Sequence, residues 1–313
     1  MFISKAIKTE NKKGLMLVLF TALVSGFSIF INGYAVKEFD SSIFAFAKNA
    51  LVAVSLLCVL WGFGMLPELR GLSKKNWIQL IVIGLIGGSI PFLLFFKGLQ
   101  MTSGTTSAFL HKTIFLYAGV FAIVMLKERI SKGFIIGGLL ILAGNYLMIQ
   151  PQFKLSAGHL FVILATIMWG AENTYAKHVL KDISGTIVAF GRMFFGSVFI
   201  LVFLILTGKI VLLTSLSPQN YIWIILSSGL LLMYVLSFYN CLSTIKVTTA
   251  TSVLTLGAPL TTLLNFVFRG TQLSLTQGIG MLSIILGIAS VIWFAYLSEI
   301  FAVPKEVRIH GRV

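Results

Sequence analysis

The 313-residue chain is 58% hydrophobic and 11% charged, with a formal net charge of +15. A soluble domain of this length has no interior large enough to hide that much apolar side chain, so the surrounding solvent is lipid. The only cysteines, Cys58 and Cys241, sit in separate apolar stretches without ligand spacing, which argues against a disulfide framework and a zinc site.

A helix needs roughly 20 apolar residues to cross a hydrocarbon core of about 30 Å. Such stretches run near 15–34, 42–62, 77–100, 105–126, 132–150, 158–177, 185–207, 221–244, 248–269 and 276–297. The first follows Lys5, Lys8, Lys12 and Lys13 but is too long for the apolar region of a signal peptide and has no small-residue cleavage pattern. It reads as a retained span, giving an all-α integral membrane protein of ten transmembrane helices. The links are short, so function resides inside the bundle.

The charges fall by loop. With a cytoplasmic amino terminus, the inside segments collect sixteen Lys and Arg residues, among them Arg70, Lys74, Lys75, Lys127, Arg129, Lys177, Lys246, Lys305 and Arg308. The outside segments hold Lys37, Lys154, Lys209 and Arg269. This positive-inside bias places both termini in the cytoplasm, with the bundle in the cytoplasmic (plasma) membrane. The basic composition is therefore a topology signal, and nucleic acid is not an expected partner.

Sliding the chain against itself by 143 or 144 positions exposes a repeat. Gly14 meets Gly158, Gly26 meets Gly170, Lys37-Glu38 meets Lys181-Asp182, and Ala45-Phe46 with Lys48 meets Ala189-Phe190 with Arg192. Farther along, Thr105-Thr106 meets Thr248-Thr249, Ser131 meets Ser274, Gly137 meets Gly280, and Gly144 meets Gly287. Residues 1–152 and 153–300 thus form two five-helix repeats, followed by a short cytoplasmic tail at 301–313. An odd number of spans per repeat inverts the second half, an architecture of secondary transporters with a substrate site near the midplane.

Trp169-Gly170 late in the sixth span, Ala258-Pro259 in the ninth and Leu126-Lys127-Glu128-Arg129-Ile130-Ser131 after the fourth carry a family resemblance. With Gly137-Gly138 and Ala143-Gly144, they make the chain similar to the drug/metabolite transporter superfamily in its EamA-like ten-helix form. The resemblance implies two inverted five-helix repeats moving a small metabolite through a central cavity; it does not identify the metabolite. The first half has Ser25-Gly26 where the family often has Trp-Gly. The second has Gly270-Thr271-Gln272 in place of Gly-Glu-Arg, so the halves are chemically asymmetric.

Ionisable groups inside a span cost roughly 2.5–3.5 kcal/mol each on insertion scales and mark function by default. Lys48, Lys97, His111, Lys112, Glu172 and Arg192 are such groups. By depth, Lys48, Lys97 and His111-Lys112 border an outer vestibule, while Glu172 and Arg192 face one another across an inner gate. Lys48, His111, Lys112, Arg192 and Asn240, the repeat counterpart of Lys97, are candidates for substrate binding or gating. Arg192 can form a bidentate fork on a carboxylate or phosphate. Snorkelling to the headgroups is the competing role for Lys48 and Lys97. Glu172 is the candidate for proton coupling, or for a gate if it pairs with Arg192. Asn49, Asn145, Asn173, Tyr234, Tyr239 and Asn265 read mainly as links between helices. Phe92, Phe95-Phe96 and Phe194-Phe195 read mainly as lipid-facing or packing residues, with the lining of a cavity for an amphipathic or aromatic solute as the alternative. Pro91 and Pro259 each remove a backbone hydrogen bond and are expected to bend their helices.

The sequence therefore reads as a secondary active transporter of a small metabolite, one carrying an anionic group, working by alternating access. The alternative within transport is an exporter of amino acids or amphipathic toxic compounds. No Walker-type segment is present, and no catalytic residue, metal or cofactor is expected. A lipid-modifying enzyme would need a catalytic cluster near an interface, and a channel a symmetric filter. The expected partners are the small-molecule substrate, a coupled proton and the bilayer, with a homodimer left open.

Overall fold

The computed structural model describes residues 2–102, 104–151 and 156–300, with side chains from Lys12 to Ala295 except residues 103–105 and 152–155. The expected tail at 301–313, with Lys305, Arg308 and Arg312, lies outside the described residues, as does Lys154. Ten long helical elements follow one another: α1 (Phe2–Ala35), α2 (Ser41–Gly62), α3 (Lys74–Met101), α4 (Gly104–Lys112 and Ile114–Leu126), α5 (Lys132–Ile149), α6 (Ala157–Val179), α7 (Gly185–Leu206), α8 (Pro218–Thr244), α9 (Val247–Arg269) and α10 (Leu275–Ile300). Local chemistry sets several of the starts. Asp40 caps α2 by accepting from the Ser42 and Ile43 amides, and Ser73 and Ser217 close capping boxes with Asn76 and Asn220 at the starts of α3 and α8.

Nine helices among the described residues are long and apolar enough to cross a bilayer. The tenth expected span, α6, has 23 residues and is roughly 34 Å long at the usual helical rise. Its lower hydropathy comes from His159, Glu172 and Asn173, which are buried against other helices. The outer surface of the bundle is apolar instead: Leu57, Val124, Leu206 and Phe268 are exposed, a surface that suits lipid.

The two repeats clasp each other about a pseudo-two-fold axis. α1 packs on α8 and α9, and its counterpart α6 packs on α3 and α4; α2 meets its counterpart α7, and α5 meets α10. The glycines register this relation residue by residue. A side chain on Gly26 would strike Leu260, and one on Gly170 would strike the equivalent Tyr117. Gly14 abuts Thr244 and Ile245, as Gly158 abuts the equivalent Met101 and Thr102. Gly137 lies against the Gly287 carbonyl and Gly144 against that of Gly280, so each contact is the other with the repeats exchanged. Small residues at these crossings let the backbones approach closely, which is the main source of helix association in lipid.

Odd-numbered helices run from the end bearing Lys12, Lys74 and Lys127, called here the basic end, toward the opposite end, and even-numbered helices return.

Candidate functional site

The site is organised by a proline. Pro91 has no amide hydrogen, and a helical residue at that position would donate to the carbonyl of Gly87. Directly before it, α3 widens into a π-helical stretch, Gly84–Ser89, a distortion frequent at functional sites. Carbonyls at this stretch accept hydrogen bonds from other helices. Gly87 accepts from Trp169 Nε1 at 2.9 Å and Arg192 Nη2 at 3.1 Å, and Gly88 accepts from Asn49 Nδ2 at 2.6 Å. A side chain at Gly87 would meet Glu172, and one at Gly88 would meet the Arg192 carbonyl. The π-helical stretch of α3 thus gathers residues of α2, α6 and α7 around one point.

Beside this point is a cavity of about 120 Å³ lined from α1, α2, α3, α4, α6, α7 and α8. Among the described residues, Lys48 and Arg192 both line it and no carboxylate does. Lys48 Nζ donates to Asn32 Oδ1 at 3.1 Å and lies 4.8 Å from the Phe44 ring centroid and 5.4 Å from that of Phe96. The Arg192 guanidinium is 5.8 Å from the ring centroids of both Phe92 and Tyr239, and its Nε has no partner. Both cations are buried. Lys48 therefore does not snorkel to the surface, whereas Lys97 is exposed and lies outside the cavity lining.

His111 lines the same cavity, its ring 5.0 Å from Phe95 and 5.1 Å from Trp169 by centroid, with Nδ1 unpartnered. Lys112, next in sequence, points elsewhere. Its Nζ donates to the Leu254 carbonyl at 3.4 Å, beside Gly257 in α9. Pro259 cannot donate to Thr255, and a 3₁₀ stretch at Leu254–Leu256 precedes it. Lys112 thus supplies a cation at the carbonyl end of the helical segment Val247–Val253. The vestibule expected to hold both His111 and Lys112 holds only His111, because adjacent residues on a helix face about 100° apart. Asn240 is also outside the lining; its amide bonds the Leu236 carbonyl of its own helix at 2.8 Å and backs onto Gly185.

Glu172 and Arg192 do not form the direct pair expected across an inner gate: no ion pair within 4.0 Å joins them. Tyr239 takes that place, donating to Glu172 Oε1 at 2.5 Å while its ring faces Arg192. Glu172 Oε2 has no partner. Farther toward the basic end, Lys177 donates to the Leu242 and Ser243 carbonyls at 2.7 and 3.1 Å, closing the carbonyl end of α8. Glu128 accepts from the Val247 amide at 3.3 Å and the Thr248 hydroxyl at 3.1 Å, capping α9. The opposite end carries two looser ties. Arg269 Nε donates to the Tyr34 hydroxyl at 2.6 Å, and Lys209 pairs with Asp40 at 2.7 Å. Burial works against the Asp40 carboxylate, but the bonds from Lys209 and Ser42 outweigh it and hold its pKa down to about 2.

The sequence reading gave two features of the lining too little weight and did not name Asn32. Phe92, Phe95 and Phe96 line the cavity instead of facing lipid. Their i, i+3, i+4 spacing beside Pro91 was the available signal. Asn173 and Tyr234, read mainly as links between helices, also line it, as does Asn32. Phe194 and Phe195 do pack or face outward, as expected: Phe194 is exposed and Phe195 packs on Trp77.

The model of the EamA-like transporter family matches residues 12–150 and again 156–293. This chain belongs to the EamA-like transporter family. Among curated EamA-like relatives, the chain is 25% identical to the uncharacterized transporter YyaM of Bacillus subtilis, over 90% of this chain and 94% of that protein. It is 22% identical to an uncharacterized transporter of Clostridium kluyveri, over 88% and 92% of the two chains. It is 26% identical to the riboflavin transporter ImpX of Fusobacterium nucleatum over 55% of this chain, and spans 61% of that relative's length. A solved crystal structure of a protein superposes with a TM-score of 0.74 at 16% identity, covering 93% of this chain and 99% of that one. That likeness shows the fold alone.

Proposed function

We propose that this EamA-like protein is a secondary active transporter of a small metabolite bearing a carboxylate or phosphate, working by alternating access in the cytoplasmic membrane with both termini inside. The observation that carries the reading is the burial of Lys48 and Arg192 in one cavity that no carboxylate lines. A buried charge is costly unless paired, and here the cations meet an amide oxygen, a backbone carbonyl and aromatic groups, while the one carboxyl group near Arg192, that of Glu172, lies outside the cavity and is bonded by Tyr239. An anion entering between the two cations supplies a counter-charge that the cavity lining does not, and the Arg192 fork gives it orientation.

Alternating access rests on the inverted repeats, which allow two states related by exchanging the halves. In this state the basic end is tied by Tyr239–Glu172, Lys177 and Glu128. A volume of about 120 Å³ is below the roughly 300–1,000 Å³ of metabolite pockets, so the helices part further to admit substrate. The sixteen-to-four distribution of basic residues supports the cytoplasmic placement of the basic end.

A second reading is favoured by the walls. Phe92, Phe95, Phe96, Trp169 and Tyr234 line the cavity, an aromatic wall that suits a solute with a conjugated ring. The relative named as a riboflavin transporter makes a flavin the first ring system to try. Counterflow in proteoliposomes tests both readings, with labelled aliphatic dicarboxylates, phosphate esters, aromatic amino acids and riboflavin. Exchange of an anion that Lys48→Ala abolishes supports the first. Exchange only of neutral ring solutes, unchanged in Lys48→Ala, replaces it with the second.

A further inference from the structure

The repeat places the same triangle of positions in each half, and the two are chemically unequal. Ser28, Lys48 and Phe96 in the first half correspond to Glu172, Arg192 and Tyr239 in the second. All three residues of the first triangle border the cavity, with Ser28 partly exposed. In the second, Glu172 and Tyr239 are fully buried and only Arg192 reaches the cavity. Inverted repeats alternate by exchanging conformations. In the opposite state the second triangle therefore takes the setting the first has now, and Glu172 meets water from the basic end.

In the present state the carboxyl group has one donor, Tyr239, on Oε1 and none on Oε2. The Arg192 Nη2 is engaged by the Gly87 carbonyl. The groups facing Glu172 are Arg192 from α7 and Tyr239 and Tyr234 from α8. α3 presents the Gly87 backbone, and α4 presents Tyr117 and Ala118 to Gly170 nearby. Lys177 and His178 lie farther along α6 toward the basic end. A carboxylate here would leave a charged oxygen unpartnered in a fully buried position, whereas a carboxylic acid leaves only a neutral hydroxyl.

We propose that Glu172 is the proton-binding site of the basic-end gate. The gate closes on a neutral Glu172, and opening releases one proton from its carboxyl group to water at that end, leaving the carboxylate facing water and the freed Arg192. The acid loses its proton with no change of oxidation state, and closing takes one proton back from the same side. One linked proton shifts the closed-to-open ratio by at most about tenfold per pH unit. The gate rests on the alternating-access reading, and it makes transport responsive to pH at the basic end.

Infrared difference spectroscopy and thiol labelling of the full chain in lipid nanodiscs test this without a substrate. Cys241 is the reporter: it is fully buried, two residues beyond Tyr239 toward the basic end. The exposed Cys58 is replaced by alanine in every sample. At neutral pH the wild-type spectrum contains the carbonyl stretch of a protonated carboxylic acid, and Glu172→Gln loses it. Tyr239→Phe removes the donor to Oε1 and moves that band to higher frequency, a readout that stands if Glu172→Gln does not fold. The maleimide-labelling rate of Cys241 in wild type, divided by that in Glu172→Gln at the same pH, rises with pH by up to about tenfold per unit. The division cancels the thiol's own titration. Absence of the band, a band unmoved by Tyr239→Phe, or a flat labelling ratio overturns the proposal. Counterflow of an anion with a flat labelling ratio leaves the transporter standing without the gate. A rising ratio with no solute transported leaves the gate standing and removes the transport reading.

Discussion

Lys48 and Arg192 occupy equivalent positions in the two repeats and reach one cavity from opposite halves of the chain. Lys48 sits near the start of α2 at the opposite end, and Arg192 near the start of α7 at the basic end, so the two-fold relation sets a cation on each side of the midplane. Under the proposed function, an anion held between them would face a similar environment whichever end is open. The two are not equal in freedom: Arg192 is tied to the Gly87 carbonyl, while Lys48 holds only an amide oxygen.

The bend in α3 is predicted to couple Pro91 to Trp169. Trp169→Phe removes one donor from the Gly87 carbonyl and lowers stability by about 1 kcal/mol. Pro91→Ala restores an amide hydrogen at that position, so in this background the cost of Trp169→Phe falls toward zero. Thermal unfolding of the wild type, both single variants and the double variant in detergent gives the coupling directly.

Lys112 is predicted to be structural. Lys112→Ala removes the cation from the Leu254 carbonyl at the break in α9 and costs about 1–3 kcal/mol. The response of the protein to added solutes stays at the wild-type level, because the side chain does not line the cavity. Melting curves with and without solute separate the two effects.

Gly137 and Gly144, with their partners Gly287 and Gly280, are predicted to behave as a symmetric set. Alanine at any of them meets a backbone carbonyl across the α5–α10 crossing and costs about 1–3 kcal/mol as overpacking. Gly137→Ala and Gly287→Ala combined cost less than their sum, since the first already parts the helices. Gly229→Ala, with open space around it, is neutral or stabilising by up to about 1 kcal/mol. Unfolding midpoints of these variants check the set.

At the opposite end, Asp40 is predicted to report acid sensitivity. Its pKa is depressed from 3.8 to about 2, so the stabilisation it gives is full above the ordinary value and is lost as pH falls through that interval. The pair with Lys209 is partly exposed and worth under about 1 kcal/mol. Asp40→Asn keeps the cap on α2 and removes the charge. Its unfolding midpoint lies slightly below wild type at neutral pH, and the two converge between pH 3.8 and pH 2.

The fold was legible because lipid imposes length and hydropathy on each span, and because glycines at close crossings cannot drift. The repeat was visible in Gly14, Gly26, Gly137 and Gly144 for the same reason that these residues now touch their counterparts' partners. Helix depth was also legible, so the ionisable residues inside the bundle could be named. Direction around each helix was not. Lys112 and His111 have the same depth, and only tertiary contact decides that one caps α9 while the other lines the cavity. The Glu172–Tyr239 bond joins residues 67 positions apart, and a depth argument offered Arg192 as an equally good partner. Pro91 predicted a bend, but which side chains would bond the carbonyls of Gly87 and Gly88 depended on how α6, α7 and α2 pack there.

Under the proposed function, the two buried cations Lys48 and Arg192 hold an anion between them. Thermal stabilisation of the purified protein across anionic, neutral and cationic metabolites tests it, since a ligand that binds only the folded state raises apparent stability. The series includes Lys48→Ala, Lys48→Arg, Arg192→Ala and, as control, Lys112→Ala. The expected result is stabilisation by a carboxylate or phosphate compound that Lys48→Ala weakens by about 10–100-fold in apparent Kd, the loss of one charge-assisted hydrogen bond. Lys48→Arg retains most of it, Arg192→Ala loses it, and Lys112→Ala leaves it intact. Stabilisation by neutral or cationic compounds alone, unchanged in Lys48→Ala and Arg192→Ala, would contradict the account.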